Sequence, residues 1–104
     1  MNNLVMQTNY KFDGTHFKMW YKIIINILTG QDLADYVTTD IINLNNNPNL
    51  ANEIRKNNAK ATTLIMNSIS PKIFQDIEDL DSAFEMMEKL KLLYDVDQNI
   101  LTDQ

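Results

Sequence analysis

The chain has 104 residues, of which 44% are hydrophobic and 22% charged, and it contains no cysteine. This length and composition are ordinary for one globular domain with its own core. The lack of cysteine excludes a disulfide scaffold, thiolate catalysis and the usual cysteine-based zinc sites. The first ten residues lack the basic start and long apolar run of a signal peptide, and the longest apolar run, IIINIL, is too short to span a bilayer. We therefore expect a soluble, cytoplasmic protein that does not contact membranes.

The net charge of −5 is distributed unevenly along the chain. Residues 1–72 contain seven Lys or Arg and five Asp or Glu, whereas residues 73–104 contain two and nine. Because an acidic domain repels phosphate backbones, we expect no direct binding to nucleic acid. Two interpretations of the asymmetry stay open: a solvated acidic helix face, or a dipolar subunit that associates head to tail with copies of itself.

The first predicted helix covers about residues 15–29. The Asp13-Gly14 pair is a turn signal, after which Thr15 can cap the helix N-terminus. Gly30 stands where a helix C-terminus favours a left-handed residue without Cβ. The apolar residues between these points recur at the three- and four-residue spacing of a helix face: Phe17, Trp20, Tyr21, Ile24, Ile27 and Leu28.

The middle of the chain predicts a short helix, a polar connection and a long helix. The short helix covers about 31–38. The Asn-rich stretch NLNNNPNLANE favours turns because Asn side chains compete for backbone hydrogen bonds, and we assign it no role beyond connection. The long helix covers about 49–69. Its predicted buried face consists of Leu50, Ile54, Ala61, Leu64, Ile65, Ser68 and Ile69.

Two more helices are predicted from capping signals. Ser70 as the N-cap and Pro71 at the first helical position begin a helix over 71–78. Ser82 and Glu85 form an S-x-x-E capping box at the start of a helix that reaches about residue 94. The predicted buried stripe of that helix is Ala83, Met86, Met87, Leu90, Leu93 and Tyr94.

The fold class that these elements predict is all-α, because no segment shows the alternation of a half-buried strand. We expect a compact bundle of about five helices over residues 10–95. Residues 1–9 would be a flexible N-terminal arm, and residues 96–104 a tail or the start of a linker to a second domain.

Candidate chemistry is sparse. His16, the single histidine, could act as a catalytic base only with a nucleophile and an orienting carboxylate. The chain has no thiol, and Asp13, the carboxylate beside His16, is expected to form the Asp13-Gly14 turn. The acidic cluster at 76–81 lacks the spacing and the central glycine of a calcium loop. Phosphate-binding glycine loops are absent from the sequence. We therefore expect no enzyme activity and no catalytic, cofactor or metal residues.

Three motifs, in order, resemble copia-type LTR-retrotransposon Gag polyproteins. KFDGTHFKMWYKIIINIL has an apolar residue, a glycine turn and a tryptophan before a helix that ends in an apolar run. NAKATTLIMNSIS is similar to the second helix motif of that family, and DSAFEMMEKLKLLYD to its stretch that ends in tyrosine. The motifs span about residues 10–95. The resemblance implies a retroviral-type capsid N-terminal domain, the shell-forming part of Gag.

The sequence departs from the family in two respects. Two tryptophans usual in the family are here Ile54 and Met87, which are still apolar. The family's C-terminal capsid domain, zinc knuckle, protease, integrase and polymerase have no counterpart in the 104 residues. An excised domain, a truncated element and a derived gene all stay open. Helix positions and the resemblance together give these structural anchors: Phe12, Gly14, Phe17, Trp20, Ile54, Ala61, Ile65, Ser82, Glu85, Met87, Leu90 and Tyr94.

The resemblance implies assembly with copies of the same chain into a shell around element RNA, which other parts of Gag would hold. A first alternative is a host-adopted or truncated Gag fragment that acts as a regulatory binding module, either as an assembly inhibitor or as a peptide-binding adaptor. A second is a helical adaptor unrelated to Gag. No cofactor is expected under any of these interpretations.

A candidate assembly surface lies on the first predicted helix. Its apolar arc covers about 240° on a helical wheel, whereas burying one face needs little more than ~100°. Either several neighbours wrap the helix, or part of the arc faces a partner. In retroviral-type capsids the first helix commonly lines contacts between N-terminal domains, and the resemblance extends that expectation here. The candidate assembly residues are Lys18, Met19, Lys22 and Ile23.

Overall fold

The computed structural model describes residues 11–44 and 47–95. Six α-helices and one 3-10 helix occur in these ranges. They are α1 (Phe17–Gly30), α2 (Asp35–Thr38), α3 (Ile41–Leu44), the 3-10 helix (Pro48–Leu50), α4 (Ala51–Asn67), α5 (Pro71–Ile77) and α6 (Ala83–Tyr94). The prediction of an all-α fold is confirmed. The expectations for residues 1–9 and 96–104 lie outside the described ranges.

The helices pack around α4, which contacts α1, α2, α3, the 3-10 helix and α6. The last helix, α6, also packs on α2 and α5. Within the described ranges there is no strand, only a single parallel bridge between Phe12 and Ile69. The core draws on every long helix and on the segment before α1: Phe12, Phe17, Trp20, Ile24, Leu28, Leu33, Val37, Ala61, Ile65, Ile69, Ile73, Ile77, Ala83, Met86, Met87 and Leu90.

The segment before α1 is fixed to the middle of the chain. The Phe12 N–H donates to the Ser68 carbonyl and the Phe12 carbonyl accepts from Ser70 N–H, at 2.8 and 2.9 Å. Gly14 has a φ of 104°, a conformation that favours glycine. The prediction that Thr15 caps α1 is wrong. Its N–H and hydroxyl both donate to the Asp13 carboxylate, and a left-handed His16, at φ 58°, precedes the helix without a side-chain cap.

The left-handed residue after α1 is Asp32 rather than Gly30. Asp32 has a φ of 61°, whereas Gly30 is the last helical residue. The Leu33 N–H donates to Leu28 O and the Asp32 N–H to Thr29 O, the two bonds of a Schellman motif. Leu33 and Leu28 are both buried, as the apolar contact of that motif requires. The left-handed residue therefore falls two positions after the glycine, and the helix ends at Gly30, one residue later than predicted.

The polar connection contains structure that the sequence did not predict. Helix α3 and the 3-10 helix both fall within or next to the Asn-rich stretch. The Asn47 side chain accepts from Asn49 N–H, and Pro48 occupies the first 3-10 position. The predicted helix over 49–69 is thus a 3-10 turn followed by α4. Leu50, predicted to be buried, is 42% exposed, because it belongs to the 3-10 turn instead of the α4 face.

The last two helices begin at serine caps. The Ser70 hydroxyl accepts from Ile73 N–H, and the Ser82 hydroxyl from Glu85 N–H at 3.0 Å. Within the described ranges, the Glu85 carboxylate does not accept a hydrogen bond from the Ser82 N–H, the second bond of a capping box. The Glu85 side chain is exposed to solvent instead. The capping box is therefore only half formed. Leu93, predicted in the buried stripe, is 42% exposed, whereas Tyr94 is half-buried.

None of the helices in the described ranges is long and apolar enough to cross a membrane.

Candidate functional site

Helix α1 turns one face to the core and the other to solvent. Its buried residues are Phe17, Trp20, Ile24 and Leu28. Lys18 and Lys22 are exposed, Met19 is 49% exposed and Ile23 is half-buried. The structure therefore brings all four candidate assembly residues to one side of one helix. We call this surface the α1 outer face: Lys18, Met19, Lys22 and Ile23.

The α1 outer face stands on a firmly held helix. On the opposite side, the Trp20 indole N–H donates to the Ser68 hydroxyl at 2.9 Å, and that hydroxyl donates to Ile65 O at 2.8 Å. The Phe12 ring stacks on Trp20 with the ring centroids 4.9 Å apart. These contacts fix the rotation of the helix, so the same residues always lie on its outward side.

The two lysines of the α1 outer face have no carboxylate partner within the described part of the chain. The single ion pair found there joins Lys91 to Glu88, at 3.4 Å on α6. Exposed charges that lack an internal partner cost little desolvation until a partner covers them, and they attract carboxylates from outside. The α1 outer face thus offers two cations beside a partly exposed thioether.

The predicted structural anchors do not all lie in the same environment. Gly14 and Tyr94 are half-buried and adjoin each other, because a Cβ on Gly14 would stand 3.4 Å from the Tyr94 ring. Ile54 is half-buried and Glu85 is exposed. The remaining anchors are buried: Phe12, Phe17, Trp20, Ala61, Ile65, Ser82, Met87 and Leu90.

A groove that the sequence did not predict lies between the start of α4 and the segments beside it. Its volume is about 450 Å³. Much of its wall comes from the Asn-rich stretch and the segments flanking it, where the sequence predicts only a connection. The one signal in the sequence is Ile54, an apolar residue on the predicted buried face of the long helix. The groove is lined by Ile42, Asn47, Pro48, Ala51, Ile54, Arg55, Asn58 and Asp81.

Asn58, on the floor of this groove, is a structural residue that sequence reasoning missed. It is 9% exposed, its amide N–H donates to Asp81 O at 2.8 Å, and its amide oxygen accepts from Ala83 N–H at 2.9 Å. One side chain of α4 therefore satisfies two backbone groups at the start of α6. An asparagine on the buried face of a predicted helix was the available signal, since buried amides need such partners.

Two hydrogen-bonded pairs among the described residues have shifted pKa values. The Asp76 carboxylate accepts a hydrogen bond from the Tyr94 hydroxyl and raises the pKa of Tyr94 to about 12, so the phenol stays protonated at neutral pH. The Thr15 hydroxyl and N–H lower the pKa of Asp13, which is exposed. Within the described ranges, no three His, Cys, Asp or Glu side chains are close enough to hold a metal ion.

Protein–protein contact is what these surfaces can provide: a basic, partly apolar helix face and an apolar groove. Comparison with family models, with curated proteins and with solved structures gives no match for this chain.

Proposed function

We propose that the chain is the N-terminal capsid domain of a copia-type Gag protein, a non-enzymatic structural protein of virus-like particles. The observation that carries the proposal is that one segment both anchors the core and exposes a candidate contact surface. The segment with the strongest likeness to Gag anchors the core through Phe12, Phe17 and Trp20 while it presents the α1 outer face to solvent. The outward side of the same helix places Met19, 49% exposed, beside two lysines that have no carboxylate partner in the described ranges.

Assembly would proceed by weak contacts that many copies repeat. A surface the size of one helix face supports only a weak pairwise contact, but multivalency in a closed shell amplifies it. Element RNA would be held by other parts of Gag, since this domain is acidic. A cytoplasmic location belongs to this proposal, because such particles assemble there.

The experiment is particle formation by the chain extended with a C-terminal capsid half. Replacing the apolar pair, Met19→Ser with Ile23→Ser, should abolish particles seen by electron microscopy. The 104-residue chain with the same changes should keep its helicity and nearly its melting temperature. Leu44→Ser is the matched control, because Leu44 is an apolar residue 71% exposed on a different helix, α3.

Two outcomes would contradict the proposal. Particles that form normally with both replacements would remove the α1 outer face from assembly. Unfolding of the isolated chain by the same replacements would show that Met19 and Ile23 belong to the core, so that any interface lies elsewhere.

A regulatory binding module is the second candidate function, and the groove beside Ile54 is the observation that favours it. An apolar groove with Arg55 and Asp81 in its lining is suited to a short peptide segment with an apolar side chain. The test is to add the purified chain to an assembling copia-type Gag. Inhibition that Ile54→Lys removes and Met19→Ser retains would support the regulatory module, and the reverse pattern would support capsid contacts.

A further inference from the structure

Helix α6 carries an outer face that complements α1. Its buried residues are Ala83, Met86, Met87 and Leu90. Opposite them, at about 100° per residue, Glu85, Glu88 and Leu92 fall within one arc of the helix. All three are exposed, and Leu92, at 82%, is the most exposed large apolar side chain in the described ranges. We call this surface the α6 outer face: Glu85, Glu88 and Leu92.

We propose that the α1 outer face of one copy docks on the α6 outer face of another copy. This inference deepens the proposed capsid function and rests on it. Each surface has two like charges along a helix and an exposed apolar side chain beside them. Lys18 and Lys22 would face Glu85 and Glu88, and Met19 would pack against Leu92.

Charge decides which surfaces can meet. If the α1 outer face met itself, the lysines of the two copies would face each other, and the α6 outer face would oppose its own glutamates. Like charges brought together across an interface oppose the contact. The chain as a whole carries −5, so two copies repel except where opposite charges meet locally. The α1 outer face carries two lysines and the α6 outer face two glutamates, whereas α6 as a whole is neutral because it also contains Lys89 and Lys91.

Neighbouring charges on α6 reduce this attraction without cancelling it. Lys89 follows Glu85 by four residues and lies about 40° from it on the helix, at one margin of the α6 outer face. Lys91 already pairs with Glu88, but both side chains are largely exposed, at 41% and 50%. A surface ion pair of this kind is worth little and exchanges readily for an intermolecular one. Attraction to Lys18 and Lys22 is therefore expected at Glu85 and Glu88, reduced by the lysine that lies beside each of them.

A contact between two different surfaces has a consequence for assembly. When one copy uses its α1 outer face and its neighbour the α6 outer face, one surface of each kind stays free on the pair. Further copies can then add in the same way, and a rotation that closes on itself produces a ring. Rings are the element from which a shell can be built.

Because the chain has no cysteine, the test can use single cysteines as proximity probes. One batch carries Met19→Cys and the other Leu92→Cys, and the two are mixed under mild oxidation at physiological salt. We expect the mixed disulfide to form at least about fivefold faster than either homodimer. Leu44→Cys, an exposed site on α3, mixed with Met19→Cys is the matched control and should cross-link only at the background rate.

Charge reversal provides the second arm. Adding Lys18→Glu and Lys22→Glu to the Met19→Cys chain should abolish the rate advantage, because four carboxylates would then face one another across the contact. Adding Glu85→Lys and Glu88→Lys to the Leu92→Cys chain as well should restore it. Lys56→Glu with Lys60→Glu, which changes the net charge equally at exposed sites of α4, should have no effect. Circular dichroism of each variant checks that the helices are retained.

Equal rates for all cysteine pairs, or no restoration by the double reversal, would overturn this inference. Particle formation by the extended chain separates it from the proposed function. Particles without preferential cross-linking would keep the capsid function and reject this pair of surfaces. Preferential cross-linking without particles would keep the pair of surfaces and reject the capsid function.

Discussion

At the scale of single residues, Trp20 determines how α1 is seated. It is fully buried, stacks on Phe12 and donates its indole N–H to the Ser68 hydroxyl. Truncating a buried tryptophan costs about 3–5 kcal/mol, and a domain of this size has only about 5–15 kcal/mol of stability. We therefore expect Trp20→Ala to unfold most of the chain at 25 °C, as measured by circular dichroism and urea titration.

The hydrogen bond of Trp20 can be separated from its packing. Ser68→Ala leaves the ring in place but removes the acceptor of its buried N–H, so it should cost about 1–3 kcal/mol. In the Trp20→Phe background the same replacement should cost much less, because no indole N–H is left without a partner. Thr63→Ala, at an exposed position of α4, is the control. Equal costs in the two backgrounds would show that the bond contributes nothing.

The Tyr94 hydroxyl is expected to lose its proton at a higher pH than an ordinary tyrosine. Its hydrogen bond to the Asp76 carboxylate raises its pKa from 10.0 to about 12. Since the folded pKa lies above the unfolded one, the stability from this bond is fully present below pH 10 and is lost as the pH rises towards 12. Absorbance at 295 nm should show one tyrosine that ionises after the others, and Tyr94→Phe should remove that step.

Asp76→Asn is the companion variant for this pair. An amide can still accept from the phenol but carries no charge, so the late step should move towards pH 10. A late step that persists unchanged in Asp76→Asn would mean that burial, rather than the carboxylate, raises the pKa of Tyr94.

At the scale of elements, the start of α6 depends on two side chains from different parts of the chain. Ser82 caps the Glu85 N–H, and Asn58 of α4 accepts from Ala83 N–H while donating to Asp81 O. Ser82→Ala should cost about 0.5–2 kcal/mol, as caps do. Asn58→Ala should cost more, about 2–4 kcal/mol, because it leaves two backbone groups without partners. Urea unfolding measures both.

Glu85→Ala is the informative control for these caps, because a glutamine could still accept from the Ser82 N–H. Because the Glu85 side chain does not return a bond to Ser82, this replacement should change the stability by only a few tenths of a kcal/mol, mainly through its charge near the helix N-terminus. A cost equal to that of Ser82→Ala would show that the full capping box forms in solution.

The sequence was sufficient to predict the long helices but not their ends. The spacing of apolar residues predicted α1, α4 and α6, because burial of one face imposes that period wherever a helix packs. The prediction of a left-handed residue at Gly30 was wrong because the end of α1 is set by Leu33 and Leu28. These two residues are both buried and are joined by a backbone hydrogen bond. Thr15 misled because its hydroxyl had a nearer acceptor in Asp13.

The candidate surfaces were predictable to different degrees. The α1 outer face follows from helix periodicity alone, since exposure on a regular helix can be deduced from the wheel. The groove beside Ile54 could not be deduced in the same way. It forms between segments that are distant in sequence, from Ile42 to Asp81, and their approach depends on the three-dimensional packing around α4. The role of Asn58 was hidden for the same reason.

At the scale of the whole molecule, the distribution of charge separates protein contact from nucleic-acid contact. Two exposed cations, Lys18 and Lys22, lie on α1. A second small group of exposed cations lies on α4 and consists of Arg55, Lys56 and Lys60. These groups lie on different helices within a chain of net charge −5. Binding to an RNA backbone requires several phosphates to be neutralised together along a continuous basic surface. Small basic groups in an acidic domain suit a carboxylate-bearing partner better.

The last prediction is that the isolated chain does not bind RNA at physiological salt. In fluorescence anisotropy with a labelled single-stranded RNA of about 25 nucleotides, we expect no saturable binding below about 100 µM, since even non-specific binding by basic proteins has a Kd of about 1–100 µM.

Glu85→Lys with Glu88→Lys is the comparison variant for this prediction. Each replacement adds +2, so the two together change the net charge from −5 to −1, and the new lysines join Lys89 and Lys91 in one basic patch. If repulsion is the reason, this variant should gain weak binding that disappears as salt is added. Micromolar binding by the unchanged chain, falling steeply between 50 and 200 mM salt, would instead mean that the small basic groups act together on RNA, and the capsid proposal would then have to include direct packaging by this domain.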